Sequence, residues 1–314
     1  MGLFRYTQAK ACGYLRKYQK NHNQRGMALV VTLLALVLIT AMVVEFSYGV
    51  YTSTNSLYNW RDSQRLSVMA KSGITVSVRT LTDLLSRYTY SYPGSLELPI
   101  ENPFEDFNGI ISVRIEDENS KFNINSIISS NGLLNETAFN SFKRLLDLLS
   151  IEEKIAERVA DWIDPDNEAR IPDSEVNTKN TYLYSIDEIL LINGIQREDY
   201  DKLLPYITVY GDGLININGA EKPVLRCMAE GITDELAQRV IDYRKFKPFE
   251  EVVDIYKVAG FETVIGQSLM GQITVGGKNF YIRSTASSGG IKRIIEAVFN
   301  MSGSSKLIRY WKEY

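Results

Sequence analysis

The chain has 314 residues, with 35 Lys/Arg against 38 Asp/Glu, a net charge of −3, one histidine and two cysteines. That length allows a membrane anchor plus one or two domains, and the acidic balance disfavours a nucleic-acid or anionic-lipid partner for a soluble part. His22 and Cys12 both precede residue 27, so the remainder has Cys227 alone and no histidine, which excludes an internal disulfide and removes histidine-based acid–base or zinc chemistry.

In chain order, the first 26 residues carry Arg5, Lys10, Arg16, Lys17, Lys20 and Arg25 and no acid. From Met27 to Val44 no residue is charged, and Glu45-Phe46 closes the run. As a helix it spans about 27 Å at about 1.5 Å per residue, close to the hydrocarbon thickness of a bilayer. Positive charge on one side only predicts a cytoplasmic N-terminus and an exported remainder. Three processing routes fit this hydropathy. A secretory signal peptide has a shorter core and small residues at its far end, where this chain has Met42-Val43-Val44. A plain signal anchor stays uncut. A prepilin-type leader is cut after Gly26, where a glycine lets a protease approach the backbone closely. Cutting there leaves 29 basic against 38 acidic residues, a net charge of −9.

No proline occurs from Glu45 to Tyr88, and Leu66, Met69, Ala70, Ile74, Val78, Leu81, Leu84 and Leu85 recur near helical spacing. This predicts one long helix whose amphipathic half packs on a sheet and which ends at Tyr92-Pro93-Gly94. Pro99–Phe107 reads as a loop, Gly109–Asp117 as a strand and Lys121–Asn125 as a short one. Leu133–Ser150 and Ile151–Ile163 have helical periodicity, and a polar loop follows to Thr181. Further helices are expected at Ser185–Asn193 and Arg197–Leu204. Gly213–Ala220 returns to strand and opens a helical pair. Gly271–Val275, Asn279–Ser287, Lys292–Met301 and Lys306–Lys312 are the last predicted strands. Strands thus flank a helical block, which fits a sheet interrupted by an insertion. Phe122–Ser126 and Leu214–Asn218 look alike, and each is read as a local echo in which Asn caps the helix that follows.

Asp161, Asp164, Asp166, Glu168, Asp173 and Glu175 form the densest acidic cluster. Such carboxylates repel unless solvated or bridged by a cation, and hard oxygen donors without His or Cys suit Ca²⁺. A solvated loop is the alternative. Asp164, Asp166 and Glu168 are spaced like the opening of an EF-hand loop. That likeness is taken to stop there: Ala169 replaces the needed glycine, and the loop's end is not read as supplying the closing glutamate.

Ile217–Gly260 resembles a helix-hairpin-helix unit, with Leu190–Ile195 as a degenerate second. Glu230 stands where a phosphate-binding hairpin has its first glycine, so a packing module is expected rather than a DNA site. Gly271–Lys278 imitates a phosphate loop with one residue too many and no helix behind it. No Gly-x-Ser-x-Gly occurs, and nothing supports an enzyme.

The segment Arg25-Gly26-Met27 through Glu45-Phe46 looks like the start of a type IV pilin-like protein and, more closely, resembles the minor pseudopilin K family of type II secretion systems. The resemblance implies an α+β fold: a pilin-like N-terminal helix on an antiparallel sheet, with a large inserted α-helical domain containing helix-hairpin-helix-like units. It implies a leader (1–26), a transmembrane half-helix (27–44), an amphipathic stem (45–90), sheet (91–130), inserted α-domain (131–270) and C-terminal strands (271–314). It implies cutting between Gly26 and Met27 by the prepilin peptidase, with methylation of the new terminus. An apolar Val31 at the fifth mature position, where most pilins carry Glu, also agrees. It implies structural calcium in the α-domain. Asp161, Asp164 and Asp166 match the family's first acidic segment, and Glu175 matches its second loosely. Tyr182 matches a following tyrosine. The function implied is a minor pseudopilin at the pseudopilus tip that initiates or caps the filament and supports export of folded proteins. Its partners would be the I- and J-type minor pseudopilins, the major pseudopilin, the prepilin peptidase and inner-membrane lipid, with the globular part periplasmic and no nucleic acid bound. The alternatives are an X-type minor pilin of a type IV pilus and an exported DNA-binding receptor.

Overall fold

The structure is a computed structural model that describes residues 4–101, 109–302 and 306–314. The chain divides into two compact units, one up to Asp62 and one from Ser63 on. The first unit is the leading part of helix α1 (Phe4–Arg87). Its side chains from Met27 to Val44 are exposed throughout. By length and composition this is the one described helix able to cross a membrane, with a mean hydropathy of 2.9 in its most apolar window. Thr32 and Thr40 donate to the carbonyls of Leu29 (2.8 Å) and Leu36 (3.0 Å), so neither hydroxyl is left bare in an apolar setting.

In the second unit α1 becomes amphipathic. Leu66, Met69, Ala70, Ile74 and Leu81 are buried against Val113, Ile115, Phe280, Ile282 and Phe299 of a sheet. Leu84, expected on that face, is instead 45% exposed. Gly73 sets the closest approach: a Cβ there would lie 2.3 Å from Ser284 Oγ.

The sheet has five antiparallel strands in the order β1 (Ser95–Glu101), β2 (Ile110–Asp117), β7 (Asn279–Ser288), β8 (Ile291–Asn300) and β9 (Leu307–Glu313). Gly289 and Gly290, both at positive φ, turn β7 into β8 as the two-residue hairpin that such a pair favours. The loop expected at Pro99–Phe107 is partly corrected. Pro99 lies inside β1, and from residue 102 the expectation lies outside the described residues. Proline lacks a ladder donor, but β1 is an edge strand, where none is needed on the open side. The opposite edge, β9, is interrupted. Its register skips Arg309 between Ile308 and Tyr310, opposite Phe299 and Val298, which is a bulge.

β2 and β7 are neighbours, with Asp117 opposite Phe280, and everything between them is inserted. Two short strands expected in the large sheet belong to that insertion. β3 (Phe122–Asn123) pairs in parallel with β4 (Ile207–Thr208), and β6 (Ile273–Thr274) pairs in parallel with β5 (Ile215–Asn216). The insertion therefore runs from 118 to 278, wider than the expected 131–270. Its helices are α2 (Glu136–Leu148), α3 (Ile155–Ile163), α4 (Arg197–Leu203), α5 (Lys222–Cys227), α6 (Asp234–Phe246) and α7 (Val264–Ser268). The helix expected at Ser185–Asn193 is a 3-10 turn, Ile186–Leu191. The inserted core is separate from the stem–sheet core and centres on Phe142, Leu145, Leu146, Ile189, Leu203 and Phe249.

The two asparagine segments are more than a local echo. Asn123 and Asn216 each accept from the amide two residues on. Asn125 then accepts from Leu183 N and donates to the carbonyls of Leu183 and Val209. Asn218 does the same with Phe249 N, Phe249 O and Val275 O. A capped 3-10 turn follows in each half, Ile186–Leu191 or Val252–Lys257, and then a glycine at positive φ, Gly194 or Gly260. The insertion is thus one hairpin unit present twice, β3 to β4 and β5 to β6. Local capping could not reveal this, because the asparagines reach partners tens of residues away. The two copies differ most between helix and 3-10 turn, at 164–185 in the first and only 247–251 in the second.

Candidate metal centre and processing segment

The long loop of the first copy leaves α3 at Ile163 and carries the acidic cluster. Asp161 and Asp164 are fully buried, which is unusual for carboxylates and demands compensation. Asp161 has it: it accepts from Arg170 N at 2.9 Å, from Arg170 Nη1 and from Ser174 Oγ. It anchors the loop and is saturated by those donors. Arg170 Nη1 also reaches Asp164 Oδ2, so one guanidinium bridges two buried acids.

Three other oxygens lack partners. Asp164 Oδ1, Glu175 Oε1 and Asn180 Oδ1 are buried and unpaired. Oxygens of Asp164, Asp166 and Glu175 lie within 4.8 Å of one another, a spacing that ligands about 2.3–2.6 Å from one Ca²⁺ would have. Burial raises the Asp164 carboxyl above its ordinary range, against the pull of Arg170. Burial likewise raises Glu175; the Thr178 hydroxyl opposes this, and repulsion from Asp161, Asp164 and Asp166 adds to it. Packed like-charged oxygens with unused lone pairs are the signature of a place that favours a cation. The donor set, all oxygen, fits Ca²⁺.

Of six expected ligands the structure gathers three. Asp161 is spent on Arg170 and Ser174. Glu168 is exposed, and its amide donates to Asp166 Oδ1 at 2.8 Å. Asp173 is exposed at φ +63°, a left-handed turn position that a short polar side chain tolerates. Counted from Asp164, Glu175 falls at the twelfth place, so the EF-hand spacing reaches further than expected: positions one, three and twelve converge. The central turn still differs, since Ala169 replaces glycine. Arg170, Ser174 and Asn180 were not foreseen. Arg170 had a signal, being the only cation from 161 to 178; Asn180 had none. Trp162, expected beneath the loop, is 7% exposed in the inserted core, and its Nε1 has no partner. Tyr182 stays outside the oxygen group and donates to Ile128 O at 3.4 Å.

The expected processing residues lie in α1. Gly26, Met27 and Val31 are helical and exposed. The hairpin of the second copy is α5–α6. Its cations are engaged: Lys222 and Arg226 with Asp234, Lys245 with Asp242, Arg239 with Ala259 O, and buried Arg244 with the carbonyls of Ile217 and Ala220.

Two family models, both described as type II secretion system (T2SS), protein K, match residues 120–212 and 215–276. Those spans coincide with the two hairpin copies. The chain is 24% identical over 310 residues to type II secretion system protein K of Pseudomonas aeruginosa, covering 90% of this chain and 91% of that one. It is 29% identical over 223 residues to the protein K of Pectobacterium carotovorum subsp. carotovorum, covering 62% and 66%. The fold is similar to a chain in the crystal structure of the GspK-GspI-GspJ complex from enterotoxigenic Escherichia coli. The TM-score is 0.63 at 19% identity, over 83% of this chain and 99% of that one.

Proposed function

Because the chain belongs to the type II secretion system protein K family, we propose that it serves as a minor pseudopilin, a tip component of the secretion pseudopilus. The observation that carries this is the unbroken helix Phe4–Arg87, apolar and exposed early and the partner of a sheet later. Such a stem can lie in a bilayer and bundle with others. In this reading the prepilin peptidase cuts between Gly26 and Met27 and the new terminus is methylated. The apolar stretch stays in inner-membrane lipid with the globular part in the periplasm. Val31 adds no charge to the anchor, where a bare carboxylate would cost several kcal/mol. The inserted domain, added to a pilin-like sheet between β2 and β7, gives the subunit bulk that blocks stacking above it. The subunit then initiates or caps the filament and supports export of folded proteins.

The solved complex that this fold resembles contains GspI and GspJ. By that likeness the I- and J-type minor pseudopilins are the expected partners, with the major pseudopilin below them. Affinity capture of the full chain from detergent-solubilised membranes of its own host is expected to retain both. Capture of neither, under conditions in which the two partners retain each other, rules this assembly out.

We also assign a structural Ca²⁺ to Asp164, Asp166 and Glu175. The metal would neutralise the convergent carboxylates and order residues 164–185. Titration of Ca²⁺ into the solubilised chain is expected to give heat and a higher melting temperature. At 100 times the dissociation constant the stabilisation is about 2.7 kcal/mol. Asp164→Asn combined with Glu175→Gln removes both signals. A wild-type chain that gives no heat and no shift at millimolar calcium has no such site.

A further inference from the structure

The chain crosses from sheet to insertion at Asp117–Asn119 and returns at Gly276–Asn279, and one carboxylate sits between the two crossings. Asp117 is 2% exposed. Its Oδ2 accepts from Ser91 Oγ at 2.7 Å and from Asn216 Nδ2 at 2.7 Å, and its Oδ1 accepts from Asn119 N at 2.9 Å. Ser91 belongs to the segment between α1 and β1, and Asn216 to the second hairpin copy. Ser91 Oγ also accepts from Gly277 N at 2.8 Å, which ties in the returning chain. Gly277 closes over the carboxylate so tightly that a Cβ would lie 2.1 Å from Asp117 Oδ1. The glycine-rich stretch that imitates a phosphate loop in sequence therefore wraps an anion of its own chain.

No described ion pair includes Asp117. The charged and titratable groups around the junction are committed elsewhere or carry the wrong sign. Lys121 on the exit turn holds Glu116 at 2.7 Å and Glu118 at 2.8 Å. Lys278 on the return pairs with Asp212 of the insertion at 3.3 Å. Glu118, next in sequence, repels Asp117. Tyr90 and Tyr92, flanking Ser91, line the same crevice. An anion buried with dipoles alone and no counter-cation is held at a penalty that its proton removes.

We propose that Asp117 is a pH-sensitive latch between the pilin-like sheet and the inserted domain, tight when its carboxyl is neutral and looser when it is ionised. Burial pushes this carboxyl up to about 6, against the three hydrogen bonds that favour the anion. An opened junction would hydrate it and return it toward its ordinary value near 4. The closed junction thus binds the proton more tightly than the open one. Closure is favoured below the open-state value and weakens as pH rises through about 6.

The test is amide hydrogen exchange on the solubilised full chain from pH 5 to pH 8, read as protection factors for 118–121 and 275–279. Protection is expected to fall about 10-fold across that range, while the α2–α3 amides hold steady. Asp117→Asn is expected to flatten the profile at the acid-side level. Ser91→Ala keeps the charge but removes one donor to it, so it should lose more protection at pH 8 than at pH 5. A flat wild-type profile overturns the latch. So does an unchanged slope in Asp117→Asn, or, if that variant does not fold, an equal loss at both pH values in Ser91→Ala.

Discussion

Replacing Gly26 by valine is expected to leave the chain at full length in the membrane, whereas the wild type is expected to begin at Met27. The fold gives this substitution nothing to disturb. Gly26 is helical and exposed, and an added Cβ would meet no atom within 4 Å. Glycine inside a helix is about 1 kcal/mol worse than alanine, so the helix on its own terms would gain from the change. A residue that the fold does not need is free to serve recognition, and a protease that must grip the backbone is blocked by a branched side chain. N-terminal sequencing and intact mass of membrane-extracted protein decide the matter. A variant cut at the same bond, or a wild type that starts at residue 1 or beyond the apolar run, removes the processing step.

Asn218→Ala should cost about 3–5 kcal/mol, the largest loss expected from any single polar side chain in the insertion. The side chain is fully buried and saturates Phe249 N at 2.8 Å, Phe249 O at 2.8 Å and Val275 O at 2.9 Å. Removing it strands the amide and the carbonyl of Phe249 in the core, each at about 1–3 kcal/mol, and leaves Val275 O with Ser91 N alone at 3.1 Å. Phe249 is itself fully buried and stacked on Tyr243 at 4.9 Å, so its displacement opens the second copy. Asn125→Ala breaks the equivalent set in the first copy and should cost less, because Asn125 is only partly buried. Denaturant unfolding of the solubilised chain measures both. A loss below 1 kcal/mol for Asn218→Ala means that the repeated asparagine is not the pin of its unit.

The stem and the sheet were legible because their signals are periodic. Leu66, Met69, Ala70, Ile74 and Leu81 recur at helical spacing, and the strands alternate. The insertion's extent was not legible, because a two-residue strand such as Ile273–Thr274 has no period to read. Its parallel partner lies 58 residues away. The acidic loop was legible as a cluster and not as a geometry. Composition could not say that Asp161 would be consumed by Arg170 and Ser174, or that Asp173 would make a turn. The closing Glu175 was visible in the spacing, since it is the twelfth residue counted from Asp164. The duplication was visible only as two Asn-rich pentapeptides, and its meaning lay in contacts that local reading does not reach.

Both borders of the five-stranded sheet are blunted, one by Pro99 inside β1 and the other by the slipped register at Arg309 in β9. Open borders invite another polypeptide to zip on through its main chain, the route to cross-β accretion. Here that route is closed by covalent chemistry on one flank and by twist on the other. Runaway ribbon growth along either flank is thereby disfavoured.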